Sequence, residues 1–145
     1  MSRVRVPLVP SRFRWAAVAV AAAGIAVASV SPSTGQVVRG PLGVVGADKY
    51  LHAIGFGGFA LVLAYALARW DPTVAAVAVL VGTVAFGLAI ELLQLPLAHR
   101  SFDWLDLVAD AVGATVVTVG WRLAVVRVRF RRVEVGGVGA SGEVD

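Results

Sequence analysis

Four long apolar segments constrain the fold of this chain more than any other feature. They cover roughly residues 15–31, 50–70, 73–95 and 104–126. Each is close to the ~20 residues that a helix needs to cross about 30 Å of hydrocarbon. Inside lipid the backbone must satisfy its own hydrogen bonds, which a helix does within one segment. The segments therefore predict an all-α integral membrane bundle of four transmembrane helices.

The composition agrees with a membrane protein and excludes several kinds of chemistry. Mean hydropathy is +0.84 and only 15% of the residues are charged, unlike an ordinary soluble domain. The chain has no cysteine, which excludes a disulfide, a thiolate metal ligand and a thiol nucleophile. The net charge of +4 comes from basic residues that mostly flank the apolar segments, so we predict no nucleic-acid partner. We expect a multi-pass protein of the cell membrane with lipids as partners.

The basic residues also predict the orientation. With the N-terminus in the cytoplasm, ten of the 13 Lys and Arg residues fall on the inner side, so both termini should be cytoplasmic. Residues 1–14 would form a basic N-terminus, 15–126 the membrane domain, and 127–145 a tail that is basic and then flexible. The first segment also has features of a signal peptide. We prefer a retained helix, because its removal would place the two basic flanks on opposite sides. Residues 69–72 predict a tight inner turn between the second and third helices.

Polar residues between the chain ends form an ordered series. Its members are Asp48, Lys49, His52, Glu91, Gln94, Arg100, Asp103, Asp106 and Asp110. Glu91 lies 18 residues after Thr73, which is about 27 Å along a helix that starts inside. Gln94 follows Glu91 by three residues on the same helix. The second and fourth helices begin outside, and the other members lie near those two beginnings. Because charges are costly in hydrocarbon, we predict one functional cluster at the outer membrane boundary.

Helical spacing predicts which faces meet. Residues three or four apart share a face of a helix. The predicted stripes are Asp48, His52, Gly55 and Phe59; Thr83, Gly87, Glu91 and Gln94; and Asp103, Asp106, Asp110, Gly113 and Gly120. Small residues allow helices to approach closely in lipid, so we expect the stripes to face one another. Within them we assign Asp48 and Gly113 structural roles.

The motifs in this series resemble those of the VanZ-like family, small membrane proteins whose namesake is associated with low-level resistance to the glycopeptide teicoplanin. The matching residues are Asp48-Lys49-x-x-His52, Glu91-x-x-Gln94 and Arg100-x-Phe102-Asp103-x-x-Asp106-x-x-x-Asp110-x-x-Gly113. The motif-bearing part covers residues 48–119. The resemblance implies a helical membrane protein of the cell envelope, whereas a part in antibiotic resistance does not follow from the fold. Asp110 departs from the family pattern, in which we expect asparagine in many relatives.

Several roles are open for the site residues. Glu91, His52 and Asp106 are the candidates for acid–base catalysis, or they hold the helices together by hydrogen bonds. His52 either carries protons or donates one hydrogen bond to Glu91 or Asp106. Lys49 and Arg100 are suited to an anion, although Arg100 could instead pair with Asp103 or Asp106.

Metal binding has weaker support in the sequence. The residues that could ligate a metal are His52, Glu91, Asp106 and Asp110, but they lack a recognised paired-histidine spacing. We therefore predict no metal and no cofactor.

Three functions are consistent with these residues. The preferred one is an outward-facing polar pocket that binds a lipid headgroup, a cell-envelope precursor or an amphiphilic drug. Its ligand-binding residues would be Lys49, His52, Glu91, Gln94, Arg100, Asp103, Asp106 and Asp110. The second is a membrane enzyme that acts on a lipid-linked substrate. The third is a structural or assembly subunit without a ligand. The sequence does not define the oligomeric state.

Overall fold

Four helices account for most of the chain in the computed structural model. The structure describes residues 4–31, 40, 41, 43, 46–98, 102–125 and 128–132. The helices are α1 (Ser11–Val30), α2 (Ala47–Ala66), α3 (Pro72–Gln94) and α4 (Trp104–Val125). All four are long and apolar enough to cross a membrane. The predicted all-α bundle of four membrane-spanning helices is confirmed.

The connection between α2 and α3 shows why these two helices form a hairpin. α2 ends at Ala66, and residues 67–69 form a turn in which Trp70 N donates to Leu67 O at 2.9 Å. Asp71 then caps α3, since its Oδ1 accepts from Thr73 N at 2.9 Å and from Val74 N at 3.0 Å. Pro72 occupies the first helical turn, where its missing N–H costs nothing. The predicted turn at residues 69–72 thus starts two residues earlier, at Leu67.

Small side chains control the packing of the bundle. α2 packs most extensively against α4, and α3 also packs on α4. Ala60 and Ala114 are completely buried in this core, and Val79 of α3 is 1% exposed. α1 lies at the periphery against α2 and α3. Large apolar side chains such as Leu51 and Val81 point outward, as expected for helices surrounded by lipid.

A short parallel ribbon pairs the segment before α1 with the segment after α4. This ribbon was not predicted from the sequence. β1 (Val4–Leu8) pairs with β2 (Val128–Arg132), with Val4 opposite Val128 and Leu8 opposite Arg132. Both segments alternate apolar and basic or proline residues, a spacing typical of strands. The ribbon places both flanks at the same end of the bundle, as an even number of spans requires. The cytoplasmic orientation of this end stays a prediction, and residues 133–145 of the predicted flexible tail lie outside the described residues.

Arg14 links α1 to this end of the bundle. It is only 7% exposed, and its Nη1 donates to Ala66 O at 2.6 Å and to Tyr65 O at 3.3 Å. These are carbonyls of the last turn of α2, which have no partners within their own helix. The Tyr65 hydroxyl accepts from Val9 N at 3.2 Å and donates to Pro7 O at 2.8 Å. Arg14 therefore caps α2 in addition to contributing positive charge to the flank.

Candidate functional site

Three helix ends meet at the opposite end of the bundle. α2 and α4 begin there and α3 ends there, so one cluster contains Lys49 and His52 of α2, Glu91 of α3 and Asp110 of α4. The predicted site residues Asp103 and Asp106 join them. Arg100, a basic residue that was expected nearby, lies outside the described residues, and so does its neighbour Ser101.

Lys49 lies at the centre of a ring of carboxylates. Its Nζ donates to Asp48 Oδ2 at 2.8 Å, to Asp106 Oδ1 at 2.5 Å and to Asp103 Oδ2. These three acceptors use all three protons of the ammonium group. The hydrogen bond from Lys49 lowers the pKa of Asp103 below its ordinary value. Lys49 thus pairs with Asp103 and Asp106, the two aspartates considered for Arg100, whose own pairing stays a prediction.

Asp103 also caps α4. Its Oδ1 accepts from Leu105 N at 2.9 Å in the first turn of the helix. Its backbone N–H donates to Glu91 Oε2 at 3.0 Å. Through these bonds and the ion pair with Lys49, Asp103 connects the beginning of α4 to both α2 and α3.

His52 is held between two carboxylates of α4. Its Nδ1 lies 2.9 Å from Asp110 Oδ1, and its Nε2 lies 3.6 Å from Asp106 Oδ2. An ionised Asp110 can only accept, so it would select the histidine tautomer with the proton on Nδ1. The imidazole ring stacks on Phe56 with the ring centroids 5.9 Å apart. His52 was expected to bond Glu91 or Asp106, and its shorter contact is with Asp110.

Two buried carboxylates have oxygens that remain free. Glu91 and Asp110 are both 0% exposed. Glu91 Oε1 and Asp110 Oδ2 have no hydrogen-bond partner among the residues that the structure describes. Gly87 leaves the space for Asp110, because a Cβ at Gly87 would lie 2.5 Å from Asp110 Oδ2. A buried polar atom without a partner is costly, so these oxygens indicate a partner beyond the described residues.

The face of α2 that meets α4 differs by one residue from the predicted stripe. We expected Asp48 and Gly55 to face inward, but the Asp48 side chain is 60% exposed, and a Cβ at Gly55 would meet no described atom within 4 Å. Lys49 turns inward instead because the carboxylates of α4 compensate its charge. Ala53 follows it one turn later, and its carbonyl oxygen would clash with any Cβ added at Gly113. The structural role of Gly113 is thus a backbone contact with α2.

An apolar groove opens beside this cluster, between α1 and α2. The cavity has a volume of about 320 Å³. Its lining comprises Ile25, Ala28, Ser29, Asp48, Leu51, His52, Gly55, Phe56 and Gln94. Gln94 closes one side, since its Nε2 donates to Ser29 O at 3.0 Å and ties α3 to the end of α1. The contribution of α1 was not predicted, because that helix carries no polar stripe.

Two sets of side chains could hold a metal ion. In one set, His52, Glu91 and Asp106 each offer a ligand atom, and these atoms lie within 4.8 Å of one another. The other set consists of Asp48, Asp103 and Asp106. Lys49 already supplies the positive charge for the second set. In the first set, Glu91 Oε1 has no hydrogen-bond partner among the described residues, so it is available to a metal ion.

The fold and the cluster define a multi-pass membrane protein with a carboxylate-rich polar site at one end of a four-helix bundle. The sequence model of the VanZ/LLP1 family matches residues 2–125, which include all four helices. The chain belongs to the VanZ/LLP1 family, as its motifs indicated. Comparisons with curated proteins and with solved structures give no match.

Proposed function

We propose that this VanZ-like protein binds an amphiphile at the membrane boundary, with an apolar chain in the groove and a polar headgroup at the carboxylate cluster. The observation that carries the proposal is the position of the groove. It is lined by apolar residues such as Ile25, Leu51 and Phe56, and it ends at Asp48 and His52. A site with an apolar body and a polar end matches the two parts of a lipid or amphiphilic drug.

The charge of the cluster favours a headgroup that carries an amine. Five described carboxylates face one lysine and one histidine, and Lys49 already pairs with three of the five. An ammonium group would compensate the remaining negative charge, whereas a phosphate alone would add to it. In this proposal Lys49 forms ion pairs within the protein and does not bind the ligand. Ligand binding by Arg100 stays a prediction. A lipid headgroup, a cell-envelope precursor and an amphiphilic drug can each supply the amine.

A leucine in the groove tests the proposal with a matched control. Gly55 lines the groove and Gly58 does not, and a Cβ at either position meets no described atom within 4 Å. Both substitutions to leucine favour the helix equally, so they differ only in filling the groove. We expect Gly55→Leu to lower the retention of an amine-headed lipid about tenfold, or about 1.4 kcal/mol, while Gly58→Leu leaves it unchanged.

The measurement is native mass spectrometry of protein incubated with lipids of matched chains. The arms are phosphatidylethanolamine, phosphatidylglycerol, a lipid-linked envelope precursor and an amine-bearing amphiphilic drug, so the preferred arm identifies the source of the headgroup. Equal retention by the two leucine variants would refute binding in the groove. Preference for the anionic phosphatidylglycerol would refute the charge argument.

We further propose that the cluster faces the outside of the cell membrane and that both termini are cytoplasmic. The excess of basic residues on the flanks joined by the ribbon supports this orientation. An impermeant thiol reagent added to intact cells should label an engineered Ser101→Cys. Labelling only after the cells are opened would place residue 101 on the cytoplasmic side and refute the proposed orientation.

An enzyme is the second candidate, because Glu91 is a buried carboxylate with one oxygen held by Asp103 N and the other free. Such a group could act as a general base on a lipid-linked substrate. Turnover by the purified protein that Glu91→Gln abolishes would favour this function. A purely structural role predicts instead that Glu91→Gln lowers thermal stability without changing lipid retention.

A further inference from the structure

We infer that His52, Glu91 and Asp106 form a binding site for a divalent transition-metal ion, with Asp110 orienting the histidine. The three side chains come from α2, α3 and α4, so the ion would join three helices. Each offers a ligand atom within 4.8 Å of the other two. This inference does not depend on the binding of an amphiphile.

The free oxygen of Glu91 is the first observation that points to a ligand. Glu91 is completely buried, its Oε2 accepts from Asp103 N at 3.0 Å, and its Oε1 has no hydrogen-bond partner in the described part of the chain. A desolvated carboxylate that stays ionised requires either a donor or a cation. The other two members of the set lie on the neighbouring helices, close enough for a shared cation to satisfy all three.

The geometry around His52 is the second, independent observation. The 3.6 Å between His52 Nε2 and Asp106 Oδ2 is too long for a hydrogen bond. It is close to the separation of about 3.4 Å between two ligands that each lie ~2.1 Å from a tetrahedral zinc ion. On the other side of the ring, Nδ1 lies 2.9 Å from Asp110 Oδ1. A carboxylate that accepts from one nitrogen while the other faces a metal is the usual support of a metal-binding histidine.

The donor set defines the class of ion. One imidazole nitrogen and two carboxylate oxygens suit Zn²⁺ or Mn²⁺ better than Ca²⁺, which prefers six to eight oxygen ligands. Three protein ligands leave at least one coordination position for water or another ligand. The nearby set of Asp48, Asp103 and Asp106 is a poorer site, because the Lys49 ammonium already contacts all three.

The test uses full-length protein without a polyhistidine tag, stripped with a chelator and equilibrated with Zn²⁺ or Mn²⁺. Metal per chain is measured by inductively coupled plasma mass spectrometry, and the thermal midpoint is measured with and without the ion. We expect about one ion per chain and a rise in the midpoint. His52→Asn and Glu91→Gln should abolish both effects. Asp110→Asn should weaken binding about tenfold or more, since it alters only the support of the histidine.

Asp48→Asn is the matched control, because it removes a carboxylate next to the site that is exposed and outside the proposed ligand set. It should leave the affinity unchanged. A wild-type protein that binds no ion overturns the inference, and so does equal weakening by Asp48→Asn and Asp110→Asn, which would indicate attraction by general negative charge. If Glu91→Gln fails to fold, the comparison of these two aspartate variants still decides the question.

Discussion

The contact between Gly113 and Ala53 predicts that one added methyl group will destabilise the bundle. A Cβ at Gly113 would overlap the Ala53 carbonyl oxygen and lie 2.9 Å from its carbon, where ordinary contacts begin at 3.4 Å. The obstacle is helix backbone, which has no rotamer to change, so α2 and α4 must move apart by at least 0.5 Å at this point. Gly113→Ala should therefore act on the pair of helices that packs most extensively.

The magnitude follows from two opposing terms. Overpacking a close contact costs about 1–3 kcal/mol, and a backbone obstacle places this case near 3. Replacing glycine by alanine within a helix returns about 1 kcal/mol. The expected net loss is about 2 kcal/mol, which lowers the ratio of folded to unfolded protein roughly 30-fold.

Gly120→Ala on the same helix is the control for this substitution. A Cβ there would meet no described atom within 4 Å, so only the favourable helical term of up to about 1 kcal/mol remains. The free energy of unfolding of both variants can be measured by titrating sodium dodecyl sulfate into micelle-bound protein. If Gly113→Ala proves as stable as Gly120→Ala, the close approach of α2 and α4 at this point is refuted.

Two further predictions concern the two ends of the bundle. Arg14→Ala should cost about 2–3 kcal/mol in the free energy of unfolding, because it removes charge-assisted bonds to α2 carbonyls. Arg12→Ala removes the same charge from the flank but only an exposed contact with Phe13, so a loss above about 1 kcal/mol there would contradict the capping role. Lys49 lowers the pKa of Asp103 in the folded state. The ion pair therefore stabilises the fold above pH 3.8, the ordinary pKa, and this stabilisation is lost as the pH falls through the lowered pKa of the folded state. In Asp103→Asn, the free energy of unfolding should therefore fall less steeply at acidic pH than in the wild type. An unchanged pH dependence would count against the ion pair.

The sequence predicted the helices well because their signal depends on length and hydropathy alone. α4 begins at Trp104 as expected, and α3 begins at Pro72, one residue before the predicted start. The ribbon between β1 and β2 was missed, because each strand has five residues and its partner lies at the other end of the chain. A pairing over that distance leaves no local pattern beyond a short alternation.

The sequence predicted which residues form the candidate site better than it predicted which of them contact one another. The rise per residue of a helix was enough to place Glu91 at the same end of the bundle as His52 and Asp106, and the structure groups these three residues. The predicted inward face of α2 was wrong at Asp48 and Gly55, although His52 and Phe59 face inward as expected. Helical spacing alone does not decide which of the adjacent residues Asp48 and Lys49 is buried. The groove was not predicted, since it depends on the placement of α1 against α2.

The sequence by itself therefore determined that this chain has four membrane-length helices and that its polar residues lie at one end of the bundle. Those properties follow from hydrophobicity and helical geometry, which act within each segment. The tertiary structure decided that Lys49 pairs with three aspartates and that His52 lies between Asp106 and Asp110. It also decided that Glu91 Oε1 has no hydrogen-bond partner among the described residues. These contacts depend on how three helices rotate against one another, and that rotation is set by the close approach at Gly113 and by charge compensation inside the bundle.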